Sequence, residues 1–327
     1  MMQSKKELLY NISRYALVLL GLLAFLFSLF NAVKLALISR QINMGDIIDY
    51  SHHISFIAED EKSSIVQEIY KYCKENEEYY NCALDLVTAT NTNENLVSLV
   101  ERVCKWEPSA IILYNPEQID LGKLNTSTAS GNSVPLVIIG NNFRESNAVS
   151  YIGVNNYESG KQFAEALTTL NKDGGTILAL NSSERTENFY EHIFFSMREN
   201  LPTKFIIEKT NVSQKENISA EDIIRDILRF RTNVNAILCF SEEDSIRVSE
   251  NLIELNLVDK ITVIGFGNSE RIQSYLKKGI LSASISYQTD KIAEAALSSI
   301  FDYITYGNTG GYFPIPTILQ VGVQNEK

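Results

Sequence analysis

Ala236-Ile-Leu-Cys-Phe240 is five apolar residues without a break, followed by Asp244 to Leu255 and then by Ile261-Thr-Val-Ile-Gly-Phe266. The first and third segments have the length and continuous hydrophobicity of strands buried on both faces. The middle segment reads as a helix. A helix between two such strands is the crossover of a parallel pair, because parallel strands need a long connection.

The same alternation extends in both directions. Upstream, Glu158–Leu170, Asn188–Asn200 and Ala220–Phe230 read as helices, the second stopped by Pro202. Thr176–Leu180 and Lys204–Glu208 read as the strands between them. Downstream come a helix over Glu270–Lys278 that Gly279 can cap, a strand over Leu281–Ser286 and a helix over Asp290–Tyr306. The first half repeats the pattern. Strands are predicted at His53–Ala58, Ala83–Thr88, Ala110–Tyr114 and Pro135–Ile139. Helices are predicted over Ser63–Asn76, through Ile65, Ile69 and Tyr72, and over Asn95–Trp106, through Leu96, Leu99, Val100 and Val103. These strands are too many for one comfortable sheet. The fold class is therefore α/β, with two doubly wound parallel-sheet lobes, whose ligand crevices lie beyond the carboxyl ends of the strands.

Ahead of this lies an uncharged run, Tyr15 to Val33, apolar around its whole circumference. Its length suits a span of the roughly 30 Å hydrocarbon core. A transmembrane signal anchor is expected over 15–37, so that the lipid bilayer is a partner through these residues. Lys5, Lys6 and Arg14 place 1–14 in the cytoplasm by the positive-inside rule, and 38–51 reads as a stalk. A cleaved signal peptide is the alternative. It lacks a good small-x-small site, since Ala32 follows Phe30 and Ala36 follows Lys34 at the critical spacing. The expected location is the cell membrane, single-pass, with the C-terminal domain extracellular.

A formal net charge of -11 argues against nucleic acid, whose phosphates need clustered Lys and Arg. Cys73, Cys82, Cys104 and Cys239 form no C-x-x-C pair and have no His at ligand spacing, so no metal or cofactor is expected. They read as small buried hydrophobes, with a disulfide left open. No phosphate loop, G-x-S-x-G elbow or H-E-x-x-H occurs. Gly174-Gly175 precedes a strand and reads as a turn. Glu59-Asp60 reads as a helix-start cap, and neither it nor Glu242-Glu243 makes a catalytic pair by adjacency. No enzyme activity is expected.

Four segments then stand in a telling order: Val137-Ile-Ile-Gly-Asn-Asn142, Ile152-Gly-Val-Asn-Asn-Tyr-Glu-Ser-Gly160, Val263-Ile-Gly-Phe-Gly-Asn268 and Leu281-Ser-Ala-Ser-Ile-Ser-Tyr-Gln288. From about Ser51 onward the chain resembles the type I periplasmic binding proteins, in the ribose-binding and lac-repressor-effector branch. The resemblance implies an N-terminal lobe from 52–154 plus 288–316 and a C-terminal lobe from 155–287 plus 317–327, joined by three chain crossings and closing over a sugar. It implies a hinge at Asn155-Asn156, where the family has Asp-Asn. It also implies ligand contacts at Asn141 and Asn142, which stand for an Asp-Arg pair, and at Arg185 and Phe189, which match the family's pattern.

Further contacts are implied at Ser241, at Asn268 beside Gly267 in the family's Asp position, and at Tyr287 and Gln288. Ser241-Glu242 replaces a usual Asn-Asp. Several of these residues have plainer readings: Arg185 as a cap or an ion pair near Glu184 and Glu187, Phe189 as core, Asn141 and Asn142 as turn residues. The substitutions point to a changed ligand, with a lost one as the alternative.

With an anchor ahead of it, the chain resembles membrane-tethered sugar-sensing proteins that pair with a membrane histidine kinase. The expected function is thus an extracellular binder of a sugar or sugar-like small molecule that signals to such a kinase by lobe closure. The alternatives are the solute-binding component of an ABC sugar importer, with an ABC permease as partner, and a scaffold without ligand.

Overall fold

The computed structural model describes residues 21, 25–34, 50–61, 63–89, 95–115, 124–140, 147–181, 187–211 and 219–323. The chain forms two units, Met1–Tyr50 and Ser51–Lys327.

In the first unit, the described residues 21 and 25–34 are helical and belong to α1. Among the described residues no helix is long and apolar enough to cross a membrane. This corrects the expected transmembrane helix over 15–37, and with it the fold preceded by a spanning helix, the bilayer as partner and the single-pass location at the cell membrane. The remainder of 15–37, the segment 1–14 and residues 38–49 of the stalk lie outside the described residues.

The second unit holds two six-stranded sheets. One contains β1 (His52–Ala58), β2 (Cys82–Thr88), β3 (Ala110–Asn115), β4 (Leu136–Gly140), β5 (Ser150–Val154) and β11 (Tyr312–Ile315), in the order β2-β1-β3-β4-β5-β11 with every pairing parallel. The other contains β6 (Gly175–Asn181), β7 (Phe205–Asn211), β8 (Val234–Cys239), β9 (Thr262–Phe266), β10 (Ala283–Tyr287) and β12 (Thr317–Val321). Its order is β7-β6-β8-β9-β10-β12, parallel except for β12, which runs antiparallel to β10.

The helices are α2 (Ser64–Glu75), α3 (Glu77–Tyr80), α4 (Leu96–Cys104), α5 (Asn156–Leu170), α6 (Glu187–Asn200), α7 (Ala220–Phe230), α8 (Glu242–Glu254), α9 (Glu270–Lys277) and α10 (Thr289–Tyr306). They cover both faces of the sheets, which explains the unbroken apolar strands. On β8, Ala236 and Leu238 pack with Phe163, Ile193 and Met197 of α5 and α6. Ile237 and Cys239, pointing the other way, pack with Val248, Leu252 and Ile272 of α8 and α9. All four β8 residues are fully buried.

Three strands escape the sequence pattern, as does the short helix α3. β5 contains Gly153, and β11 and β12 flank Pro316 with Pro314 inside β11. A Cβ on Gly153 would lie 2.7 Å from a ring carbon of Tyr312, so β5 gives up a side chain to let β11 lie against it. The chain passes from one sheet to the other three times: between Val154 and Asn156, between Tyr287 and Thr289, and between Ile315 and Thr317.

Candidate functional site

In each sheet the second strand in sequence lies outside the first and the third lies inside, so the strand order reverses at β1/β3 and at β6/β8. Crevices of such sheets open beyond the carboxyl ends of the strands at these reversals. β8, β9 and β10 are neighbours. Ser241, Asn268, Tyr287 and Gln288, at or just past their carboxyl ends, are thereby brought to one rim.

Each of these residues is held by the fold. Ser241 is the N-cap of α8, and its hydroxyl accepts from the Asp244 N–H at 3.1 Å. The Ser245 hydroxyl donates to the Ser241 carbonyl at 2.7 Å and accepts from the Phe266 N–H at 2.8 Å, tying the ends of β8 and β9 together. Asn268 Oδ1 accepts from Gln273 Nε2 at 2.5 Å. The Tyr287 ring stands edge-on to Phe266, with centroids 4.9 Å apart. Tyr287 also packs against the cores of both sheets. Gln288 Nε2 donates to the Pro316 carbonyl at 2.8 Å, so its amide nitrogen serves the neighbouring crossing.

The two asparagines at the first crossing differ in what they do. Asn155 is the N-cap of α5, its Oδ1 accepting from the Glu158 N–H at 3.1 Å. Asn156 Oδ1 is buried with no partner among the described residues. Phe189 falls in the first turn of α6, and its side chain is outside what the structure describes. Asn141, Asn142 and Arg185 lie outside the described residues.

Two carboxylates at this end of the molecule are absent from the expected site. Glu242 opens α8, and its Oε2 accepts from the Ser269 N–H at 3.4 Å. The same oxygen would lie 2.3 Å from a Cβ on Gly267, whose φ of +108° suits glycine. The carboxylate of Glu242 therefore fills the space that a side chain at 267 would need. Glu68, on α2 of the other lobe, accepts a hydrogen bond from Thr289 Oγ1 at 3.1 Å. Burial pushes its carboxyl above the ordinary range, the Thr289 bond pulls it back, and the charge of Glu242 raises it again. Lys71 lowers it slightly.

The pair Glu242-Glu243 was legible as acidic, but only the contact with Gly267 shows where the first of them sits. Glu68 carries no local signal beyond lying among Ile65 and Ile69.

The four cysteines are buried and free. Burial pushes the Cys73 thiol up to about 12 and that of Cys82 to about 11. Among the described residues no group of three or more His, Cys, Asp and Glu side chains is placed to hold a metal ion.

Residues 54–309 match the model of the periplasmic binding protein domain. No curated protein matches. Among solved structures, XylFII is 19% identical, with a TM-score of 0.67 over 83% of this chain and 99% of its own. The XylFII-LytSN complex gives 20% identity and the same TM-score over 83% and 97%. AraP, an arabinose binding protein from Geobacillus stearothermophilus, is 17% identical, with a TM-score of 0.69 over 83% and 96%. A sugar-binding protein of a sugar ABC transporter from Bacillus halodurans is 13% identical, with a TM-score of 0.68 over 82% and 97%. These likenesses show the two-lobed binding fold. They correct the expected membrane-anchored branch to the binding fold itself.

Proposed function

The chain belongs to the periplasmic binding protein domain family, a non-catalytic family of solute binders, and from that premise we propose that its solute is a sugar or sugar-like small molecule held between the lobes. The observation that carries this reading is Glu242. Its half-buried carboxylate is fixed at the adjoining carboxyl ends of β8 and β9 by the Ser269 N–H and by the absence of a side chain at Gly267. A carboxylate so placed accepts hydrogen bonds from vicinal hydroxyls, and Tyr287 offers a ring face for the C–H side of a sugar. Asn268 adds an amide, and Asn141, Asn142, Arg185 and Phe189 complete the proposed contact set. Gln288 and Ser241 act at one remove, holding the hinge and the start of α8. Asn155 and Asn156 stand at the first crossing of the hinge.

The chain acts, on this reading, as the solute-binding component of an importer that hands its sugar to a membrane permease. The sugar ABC transporter binding protein from Bacillus halodurans supports this role by its fold. A second reading, in which the closed lobes signal to a membrane histidine kinase, is favoured by one observation. XylFII, of the same fold, has been solved as a complex with LytSN. Lobe closure shifts a pre-existing equilibrium in either case.

A thermal-shift screen of the full chain against pentoses and hexoses tests the proposal. Stabilisation by at least one sugar is expected, with a smaller shift at the same sugar concentration in Glu242→Ala. No stabilisation by any of them contradicts sugar binding. Co-purification with a permease or with a kinase decides between the two roles.

A further inference from the structure

The third crossing, Ile315 to Thr317, is bonded to both of the others. Its three successive carbonyls accept from three different elements. Ile315 O takes the Asn155 N–H of the first crossing at 3.3 Å. Pro316 O takes Gln288 Nε2 of the second crossing at 2.8 Å. Thr317 O takes Gln162 Nε2 of α5 at 3.0 Å. Gln162 grips Thr317 a second time, because its Oε1 accepts from Thr317 Oγ1 at 2.8 Å, and the Ser159 hydroxyl lies 3.1 Å from the same oxygen. Thr317 is 4% exposed and Ser159 is 1% exposed. Losing either partner of such buried bonds strands a polar atom away from water, which costs more than the bond is worth at the surface.

The clamp is one-sided. Thr317 is fastened to α5 by side chains from two successive turns, whereas Pro316, one residue earlier, gives only its carbonyl and has no N–H. We propose that Gln162 is a positioning residue of the hinge. By holding both the carbonyl and the hydroxyl of Thr317 against α5, it confines the bend of the third crossing to Pro316 and limits the lobe angles that the ligand-free protein visits. Gln288 couples the second crossing to the same pivot. The consequence for binding rests on the lobe-closure reading, but the clamp acts in the absence of any solute.

Spin labels on the full chain at Lys105→Cys in one lobe and Lys277→Cys in the other report the spread of lobe separations. Both positions are exposed and the four native thiols are buried, which keeps labelling at the chosen sites. Without ligand, Gln162→Ala and Thr317→Val are each expected to broaden the distance distribution, and the double variant to broaden it no further than either alone. Thr317→Ser, which keeps the hydroxyl, is expected to retain the wild-type distribution. A wild-type distribution in Thr317→Val overturns the proposal. So does a Thr317→Ser variant as broad as Thr317→Val, because the methyl and not the hydroxyl would then carry the effect. If Gln162→Ala fails to fold, the two Thr317 variants decide alone. A broad distribution in the variants together with no sugar binding by the wild type leaves the clamp standing and removes only the sugar.

Discussion

Glu68 joins two helices of one lobe next to the second crossing. It is bonded to Thr289 at the exit of the second crossing and feels the charge of Glu242 from the opposite lobe. Its carboxyl is held above the usual value, so the folded state favours the protonated form. The stability contributed by this group is present below the ordinary carboxylate value of 4.5 and is lost as pH rises through the raised folded value. Glu68→Gln is therefore expected to raise the melting temperature at pH 7 and to converge on the wild type below the carboxylate range. Melting curves from pH 4 to pH 8 check this, and a variant less stable than wild type at pH 7 contradicts it.

The thiols give a second residue-scale expectation. All four are buried, and Cys73 and Cys82 are pushed far above neutrality, so no thiol should react with a water-soluble disulfide reagent until denaturant is added. One fast-reacting thiol in the native protein contradicts that. The burial of the cysteines was legible from their place in apolar strands and helices. The seat of Glu242 was not, because it depends on Gly267, which is twenty-five residues away in sequence and adjacent only once β8 and β9 pair.

At the scale of elements, α5 and α6 press together at Gly160. A Cβ on Gly160 would lie 2.2 Å from the Ile193 carbonyl and 2.9 Å from the Met197 nitrogen, both backbone atoms that cannot step aside. The Ser196 hydroxyl donates to the Tyr157 carbonyl at 2.6 Å across the same contact. Gly160→Ala is expected to destabilise the protein by about 1–3 kcal/mol through overpacking, despite the better helix propensity of alanine. Denaturant unfolding measures it, and a neutral or stabilising result contradicts the packing described.

The same scale shows why some elements were readable and others were not. A central strand such as β8 is apolar at every position because each of its faces meets a different set of helices. β11 and β12 lie at sheet edges, alternate with exposed residues and are punctuated by Pro314 and Pro316, so no local pattern separates them from loop. Their pairing comes from β5 and β10, laid down far earlier in the chain.

At the scale of the whole molecule, two sheets of the same strand order, joined by three crossings, make the two-lobed binding fold. The alternation of strands and helices pointed to two lobes, and the four ordered segments pointed to the family that residues 54–309 match. The N-terminal run shows the limit of reading by composition. Its uncharged length suggested a span, yet among the described residues, which there are 21 and 25–34, no helix is long and apolar enough to cross a membrane. The central claim is that the cleft binds a sugar and that Glu242 holds it. Isothermal titration calorimetry of the full chain, wild type and Glu242→Ala, against a panel of pentoses and hexoses tests it most directly. The account predicts saturable binding of at least one sugar by the wild type, weakened roughly ten- to a hundred-fold in Glu242→Ala, as loss of a charge-assisted hydrogen bond of about 1.5–3 kcal/mol requires. Equal affinity in the two proteins, or no binding of any sugar by the wild type, would contradict it.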